Sequence, residues 1–110
     1  MTLADVSTAL LTVTSRVYRY TAIAAPTFPY IVYADEMESG SLSGDGRKIG
    51  RILEGSIDLY AKQPDHAFIN AIEKALNDAG ICFRLNSIQY ERDTKVIHHE
   101  WVWNIDTEVS

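Results

Sequence analysis

The sequence predicts an α+β fold, in which a single domain carries two helices on one face of a mostly antiparallel, four-stranded sheet, in the order α-β-β-α-β-β. Three observations predict it. One amphipathic helical pattern opens the chain, a second lies in its middle, and two extended stretches follow each of them. The 110 residues are enough for one hydrophobic core and too few for two, so we expect one domain spanning residues 1–110.

The first helix is predicted to begin after Thr2, because this residue and Asp5 have the spacing of a capping box with a shortened acid. Apolar residues then recur every three or four positions, at Leu3, Val6, Leu10, Val13 and Val17. Many residues of this segment are β-branched or hydroxylated and only fair helix formers, so packing must stabilise the helix. We expect it to end after Arg16, since two prolines in residues 21–29 favour an extended connector.

The first two strands are predicted on either side of a loop. Residues 30–33 are aromatic or β-branched, and residues 56–62 alternate between polar and apolar, as strands do. Between them, glycines alternate with serine and aspartate, which predicts a mobile loop at about residues 37–48. Gly50 and Gly55 indicate bulges or a close approach of another backbone in the second strand.

The second helix is the most clearly marked element. Pro64 and Asp65 suit its start and Gly80 its end. Its predicted buried face consists of Phe68, Ile69, Ile72, Leu76 and Ala79. Strands at residues 81–90 and 96–105 flank a short polar turn and predict a hairpin. One face of the last strand is apolar and aromatic and should lie against the helices: Ile97, His99, Trp101, Trp103 and Ile105.

Charge and cysteine content restrict the possible functions. Ten basic and fifteen acidic residues give a net charge of -5, which disfavours binding to nucleic acid phosphates but suits the wall of a channel through which nucleic acid slides. Cys82 is the only cysteine, so it forms no intramolecular disulfide, and its apolar neighbours predict burial. Without a signal-peptide pattern or an apolar run of about 20 residues, we expect a soluble protein made in the cytoplasm.

A metal site and a nucleotide site are both weakly indicated. His98 and Glu100 share a strand face, whereas the adjacent His99 points to the other, so a metal would need further ligands such as His66 from the second helix. We expect structural roles for these residues and no metal or cofactor. The glycine-rich segment lacks the lysine and hydroxyl residue that open a helix in a phosphate-binding loop.

Polar residues in and around the loop are expected to form an interface. The acidic residues could act as a general acid and base, but no pocket is indicated, so we expect no enzyme. Tyrosine is enriched at protein interfaces, and Tyr60 shares a strand face with Asp58 and Lys62. The candidate interface residues are Asp35, Glu36, Glu38, Asp45, Arg47, Lys48, Asp58, Tyr60 and Lys62.

The order of elements resembles that of a phage protein family. Together with the segments YIVYADE, IDLYAK, PDHAFINAIEKAL and HEWVWNID, it is similar to the tail terminator and tail-completion (head-tail joining) proteins of long-tailed bacteriophages, such as the lambda minor tail protein U family. The resemblance spans Leu3 to Asp106 and carries over no individual functional residue.

This resemblance implies a ring, hexameric in such proteins, at the head-proximal end of the tail tube. The ring would end tube polymerisation and join the tail to the head connector while genomic DNA passes through its lumen without specific binding. The implied partners are further copies of the chain, the tail tube protein and a connector or stopper protein, with no membrane. The implied location is the tail or neck of the virion, after assembly in the host cytoplasm.

Two other functions remain open from the sequence. The chain could be a small monomeric adaptor that binds peptides along a sheet edge, or a ligand-binding or enzymatic domain of ferredoxin-like type that uses His98 and Glu100. If the structural role is right, deleting residues 39–46 should leave the domain folded and impair assembly.

Overall fold

The computed structural model describes residues 1–22 and 26–108, which form two helices and one five-stranded sheet. The elements are α1 (Leu3–Leu11), β1 (Val17–Arg19), β2 (Tyr30–Gly44), β3 (Arg47–Ala61), α2 (His66–Asp78), β4 (Cys82–Glu91) and β5 (Val96–Glu108). The strand order is β1-β2-β3-β5-β4, with β1 parallel to β2 and all other neighbours antiparallel. Part of the predicted connector, residues 23–25, lies outside the described residues.

The prediction of a four-stranded sheet in α-β-β-α-β-β order is wrong, because the chain has the order α-β-β-β-α-β-β and a mixed sheet of five strands. The missing strand is β1, whose Val17 had been assigned to the helix. Helix α1 instead ends at Leu11, and the Arg16 carbonyl accepts a hydrogen bond from Ile31 N at 2.9 Å as the chain joins β2. Three residues are too few to show strand periodicity, so only the pairing identifies this strand.

The prediction of a loop at about residues 37–48 is also wrong, because β2 and β3 remain paired as far as Gly44 and Arg47. Asp45 and Gly46 form the turn, and both have positive φ, as a two-residue hairpin turn requires. Three register shifts interrupt the pairing. A sequence rich in glycine and serine can therefore form strands here because its partner strand lies next to it in the chain.

The capping box predicted at the start of α1 is present, whereas the prediction of Pro64 as the first residue of α2 is wrong, because α2 begins at His66 with Asp65 as its N-cap. Thr2 N donates to Asp5 Oδ2 at 2.7 Å, and Asp65 Oδ1 accepts from Phe68 N at 3.0 Å. Helix α2 ends before Gly80, whose φ of 74° is the left-handed conformation expected at this position. None of the helices in the described part of the chain has the length and apolar character needed to cross a membrane.

The sheet has one covered and one open face. Strands β3 and β5 pair without a register shift from Gly50 opposite Glu108 to Ala61 opposite Ile97, so their odd-numbered residues share one face and their even-numbered residues the other. The odd face packs against the helices, as predicted for β5. The core there includes Val6, Leu10, Ile57, Leu59, Ile72, Leu76, Trp101, Trp103 and Ile105. The even-numbered residues of β3 and β5 lie on the other face of the sheet, here called the open face.

The structure tests the predictions made for Gly55 and Cys82. Gly55 lies where β2, β3 and the Trp103 ring meet, which confirms the predicted close approach of another backbone. Cys82, by contrast, is exposed, so the prediction of a buried thiol is wrong. It lies at the start of β4, the last strand of the sheet, opposite Asn104 on the open face.

Candidate functional site

The predicted interface residues fall into separate parts of the β2–β3 hairpin, except Lys62, which directly follows β3. Its distal part, residues 37–54, is here called the hairpin arm, and it contributes to a molecule 54 Å long and about 25 Å across. Glu38 forms ion pairs with Lys48 and Arg51, while Asp45 and Arg47 lie at the exposed tip. The charges of Glu38 and Lys48 are therefore satisfied within the arm.

The hairpin arm also exposes large apolar side chains, a feature that the sequence analysis missed. Met37, Leu42 and Ile49 are each more than half exposed. Leu42 lies beside Gly50, and Ile52 lies beside Gly40. Met37 and Leu42 were predicted to lie in a loop. In the structure they belong to a strand, and their side chains lie outside the core.

Asp35 and Glu36 lie at the base of the arm. Asp35 accepts hydrogen bonds from Arg19 Nη2 at 2.8 Å and from the Tyr20 hydroxyl at 2.7 Å, which tie the end of β1 to β2. The hydrogen bond from Arg19 lowers the pKa of Asp35 below its ordinary value of 3.8. Glu36 lies in the register shift between Asp35 and Met37. Asp35 is thus paired within the chain, and its role at an interface stays a prediction.

Asp58 lies on the open face, where it meets two residues of β5. Its Oδ1 lies 2.6 Å from His98 Nε2, and Glu100 is its direct partner across the β3–β5 ladder. One potential ligand atom from each of these three side chains lies within 4.8 Å of the other two. Sequence reasoning found His98 and Glu100 but not the third member, because Asp58 is separated from His98 by 40 residues.

An aromatic row crosses the open face beside this cluster. The Tyr30 and Tyr60 rings stack at 5.0 Å, and Tyr60 and His98 stack at 4.5 Å with 14° between their planes. Tyr18 meets Tyr30 edge to face at 6.2 Å. Both ring faces of Tyr60 are therefore occupied within the chain. Its predicted role at an interface remains a prediction, and the nearby Lys62 donates to the Thr94 carbonyl.

Burial raises the pKa values of two side chains on the open face, Asp58 and Tyr60. The pKa of Asp58 is raised above 3.8 chiefly by burial; the hydrogen bond with His98 opposes this shift and the charge of Glu100 adds to it. Burial likewise raises the pKa of Tyr60. The even-numbered residues of the β3–β5 ladder include Glu54, Asp58, Glu100, Asp106 and Glu108, and in this ladder they include no lysine or arginine.

The structure separates the neighbouring histidines as the strand alternation predicted. His99 is buried on the covered face opposite Leu59, and it stacks on Trp101 at 5.9 Å. Burial lowers the pKa of His99, which favours the neutral imidazole. His66 opens α2 and is not part of the cluster of Asp58, His98 and Glu100.

Comparison with known proteins identifies a shared fold. No family model matches this sequence, and neither does any curated protein. Among solved structures, a chain of the virion of a native gene transfer agent particle aligns with a TM-score of 0.68 and 17% sequence identity. The alignment covers 96% of this chain and 93% of that chain. At this identity the likeness establishes the fold, and it extends over nearly the whole of both chains.

Proposed function

We propose that this chain is a structural protein of a phage-like virion and has no enzymatic activity. The observation that carries the proposal is the fold shared with a virion chain of a gene transfer agent over 96% of this chain. A shared fold does not determine function, so the surfaces of this chain have to support the assignment.

Within the particle, the resemblance to tail terminators favours a ring at the head-proximal end of the tail tube. The ring would end tube polymerisation and join the tail to the head connector. Its partners would be further copies of the chain, the tube protein and a connector or stopper protein. DNA would pass through the lumen without being bound, which the net charge of -5 and the acidic open face favour.

The hairpin arm supports assembly with other subunits. A ring of identical subunits requires two different, complementary patches on each subunit. The arm projects along the molecule and exposes apolar side chains on both of its faces, with Met37 and Leu42 on the face of Glu54 and Gly50 and Ile49 on the other. Burial of such side chains contributes about 1.5–3 kcal/mol each, so contact with a neighbouring subunit would stabilise the ring appreciably.

The outer edge of β4 offers a second, different patch. It is the last strand of the sheet and has ten residues, so its outer backbone groups have no strand partner among the described residues. Ile88 and Tyr90 are more than half exposed, and Leu85 is nearly half exposed. Apolar exposure along an unpaired edge is a recognised association surface. We propose that the arm of one subunit meets this edge of the next.

Electron microscopy of particles assembled without this chain tests the position in the virion. Tails of uncontrolled length that lack heads would support the terminator role. Tails of normal length that lack heads would instead indicate a joining role. Normal, complete particles would refute the virion assignment.

Interface variants test the ring itself. Replacing Met37, Leu42 and Ile49 by serine should abolish rings in native mass spectrometry and leave the unfolding midpoint nearly unchanged, because these side chains lie outside the core. The matched control is Lys74→Ala on the exposed surface of α2. Rings that survive the triple substitution would contradict the arm interface. Side-chain changes are preferable to deleting residues 39–46, since the deletion would remove paired strand residues.

One observation favours a second candidate function, that of a monomeric adaptor. The edge of β4 is long enough to pair with an extended peptide, which would add a sixth strand to the sheet. A chain that stays monomeric at all concentrations, and on tail tubes, would favour the adaptor over the ring.

A further inference from the structure

We propose that Asp58, His98 and Glu100 form a binding site for a divalent transition-metal ion, with Zn²⁺ as the best fit. The proposal is independent of the virion role and concerns the open face of the sheet. Each of the three side chains offers one ligand atom, and these atoms lie within 4.8 Å of one another.

The register of the sheet brings the ligands together. Asp58 pairs with Glu100, and the next pair on the same face is Tyr60 with His98. In a tetrahedral zinc site, ligand atoms about 2.0–2.2 Å from the metal lie about 3.3–3.6 Å apart. A separation of at most 4.8 Å therefore requires small side-chain rotations and no change in the backbone.

The donor set selects the kind of metal. One imidazole nitrogen and two carboxylate oxygens suit Zn²⁺ and similar first-row ions. Ca²⁺ and Mg²⁺ prefer oxygen ligands only, so His98 should disfavour them. Three protein ligands leave a fourth position of a tetrahedral site for water.

Two neighbouring side chains hold the ligands in position. Asn86 Nδ2 donates to Glu100 Oε1 at 2.7 Å, and Arg84 Nη1 donates to Asn86 Oδ1 at 2.9 Å, which orients the amide. Asn86 is placed there by the register shift between Leu85 and Ser87 in β4. The Tyr60 ring stacks on the His98 imidazole and fixes its plane. A hydrogen bond to a ligating carboxylate, such as that from Asn86 to Glu100, is typical of metal sites.

The charge of the open face also favours a cation. Asp58 and Glu100 bring two carboxylates to one place on the open face, and Arg84, which β4 adds to this face opposite Val102, donates to Asn86. A divalent ion between them would offset their repulsion. The contact of 2.6 Å between His98 Nε2 and Asp58 Oδ1 would open slightly to admit the ion.

Titration of the purified full chain with Zn²⁺, followed by calorimetry, tests the site. A Cys82→Ser background removes the exposed thiol as a competing ligand. We expect one Zn²⁺ per chain, with affinity lowered by about 100-fold in His98→Gln and Asp58→Asn and by about tenfold in Asn86→Ala. The control His66→Gln changes a histidine outside the cluster and should bind as the parent does.

Absence of saturable Zn²⁺ binding would overturn the proposal, as would binding that persists in His98→Gln or that is matched by Mg²⁺. If His98→Gln does not fold, the imidazole signals of the parent provide the test. Zn²⁺ should then shift the NMR resonances of His98 and leave those of His66 in place. Shifts confined to His66 would refute the site.

Discussion

Replacing Gly55 with alanine should destabilise the fold strongly. A Cβ atom at this position would lie 1.9 Å from the Ala34 carbonyl oxygen and 2.5 Å from Trp103 Cζ2, whereas real Cβ contacts essentially never fall below 3.0 Å. Neither neighbour can yield easily. The carbonyl belongs to the paired strand β2, and the Trp103 ring is fully buried with Nε1 donating to the Ser56 carbonyl at 3.0 Å.

The expected cost follows from these contacts. Overpacking a core costs about 1–3 kcal/mol, and disturbing the Trp103 hydrogen bond adds about 1 kcal/mol. We therefore expect the free energy of unfolding to fall by about 2–4 kcal/mol. With a urea m-value of about 2 kcal/mol/M, the midpoint should fall by about 1–2 M.

Urea unfolding followed by tryptophan fluorescence measures this effect, because Trp101 and Trp103 are both buried in the native core. Gly44→Ala is the control, since the atom nearest to its added Cβ would be Ile49 Cδ1 at 3.4 Å, an ordinary contact. A Gly55→Ala protein within about 1 kcal/mol of the parent would refute the reasoning, because two fixed groups would then have moved at almost no cost.

Three further predictions concern single residues. The exposed Cys82 should react with a thiol reagent in the native protein, and reaction only after unfolding would contradict its placement. Because Arg19 lowers the pKa of Asp35, this carboxylate stabilises the fold above pH 3.8 and loses its contribution as pH falls through its lower native pKa. Asp35→Asn should thus cost under about 1 kcal/mol near neutral pH and nothing in strong acid, and a pH-independent cost in urea titrations would contradict this. Glu73→Ala leaves the Trp101 indole N–H without its 2.8 Å acceptor and should cost about 1–3 kcal/mol in thermal unfolding; an unchanged midpoint would count against it.

Local patterns predicted the elements whose signals lie within a few neighbouring residues. The capping box of Thr2 and Asp5 depends on contacts three residues apart and is present in the structure, and Gly80 ends α2 as its position predicted. The alternation in β5 correctly assigned His99 to the covered face and His98 to the open one. Alternation could not predict β1, because three residues are too few to show a period. This strand is identified by its pairing with β2.

The candidate sites depended on contacts between distant parts of the chain. Asp58 joins His98 and Glu100 only because β3 pairs with β5 in one particular register. The glycine-rich segment forms strands because each strand of the hairpin supplies the hydrogen-bond partners of the other, which composition alone does not reveal. Local spacing and chemistry thus determined that there are two helices, where α1 starts and α2 ends, and which residues of β5 share a face, whereas the end of α1 was not predicted. Strand pairing decided the sheet order, the hairpin arm and the carboxylate–histidine cluster, since register is a property of two segments together.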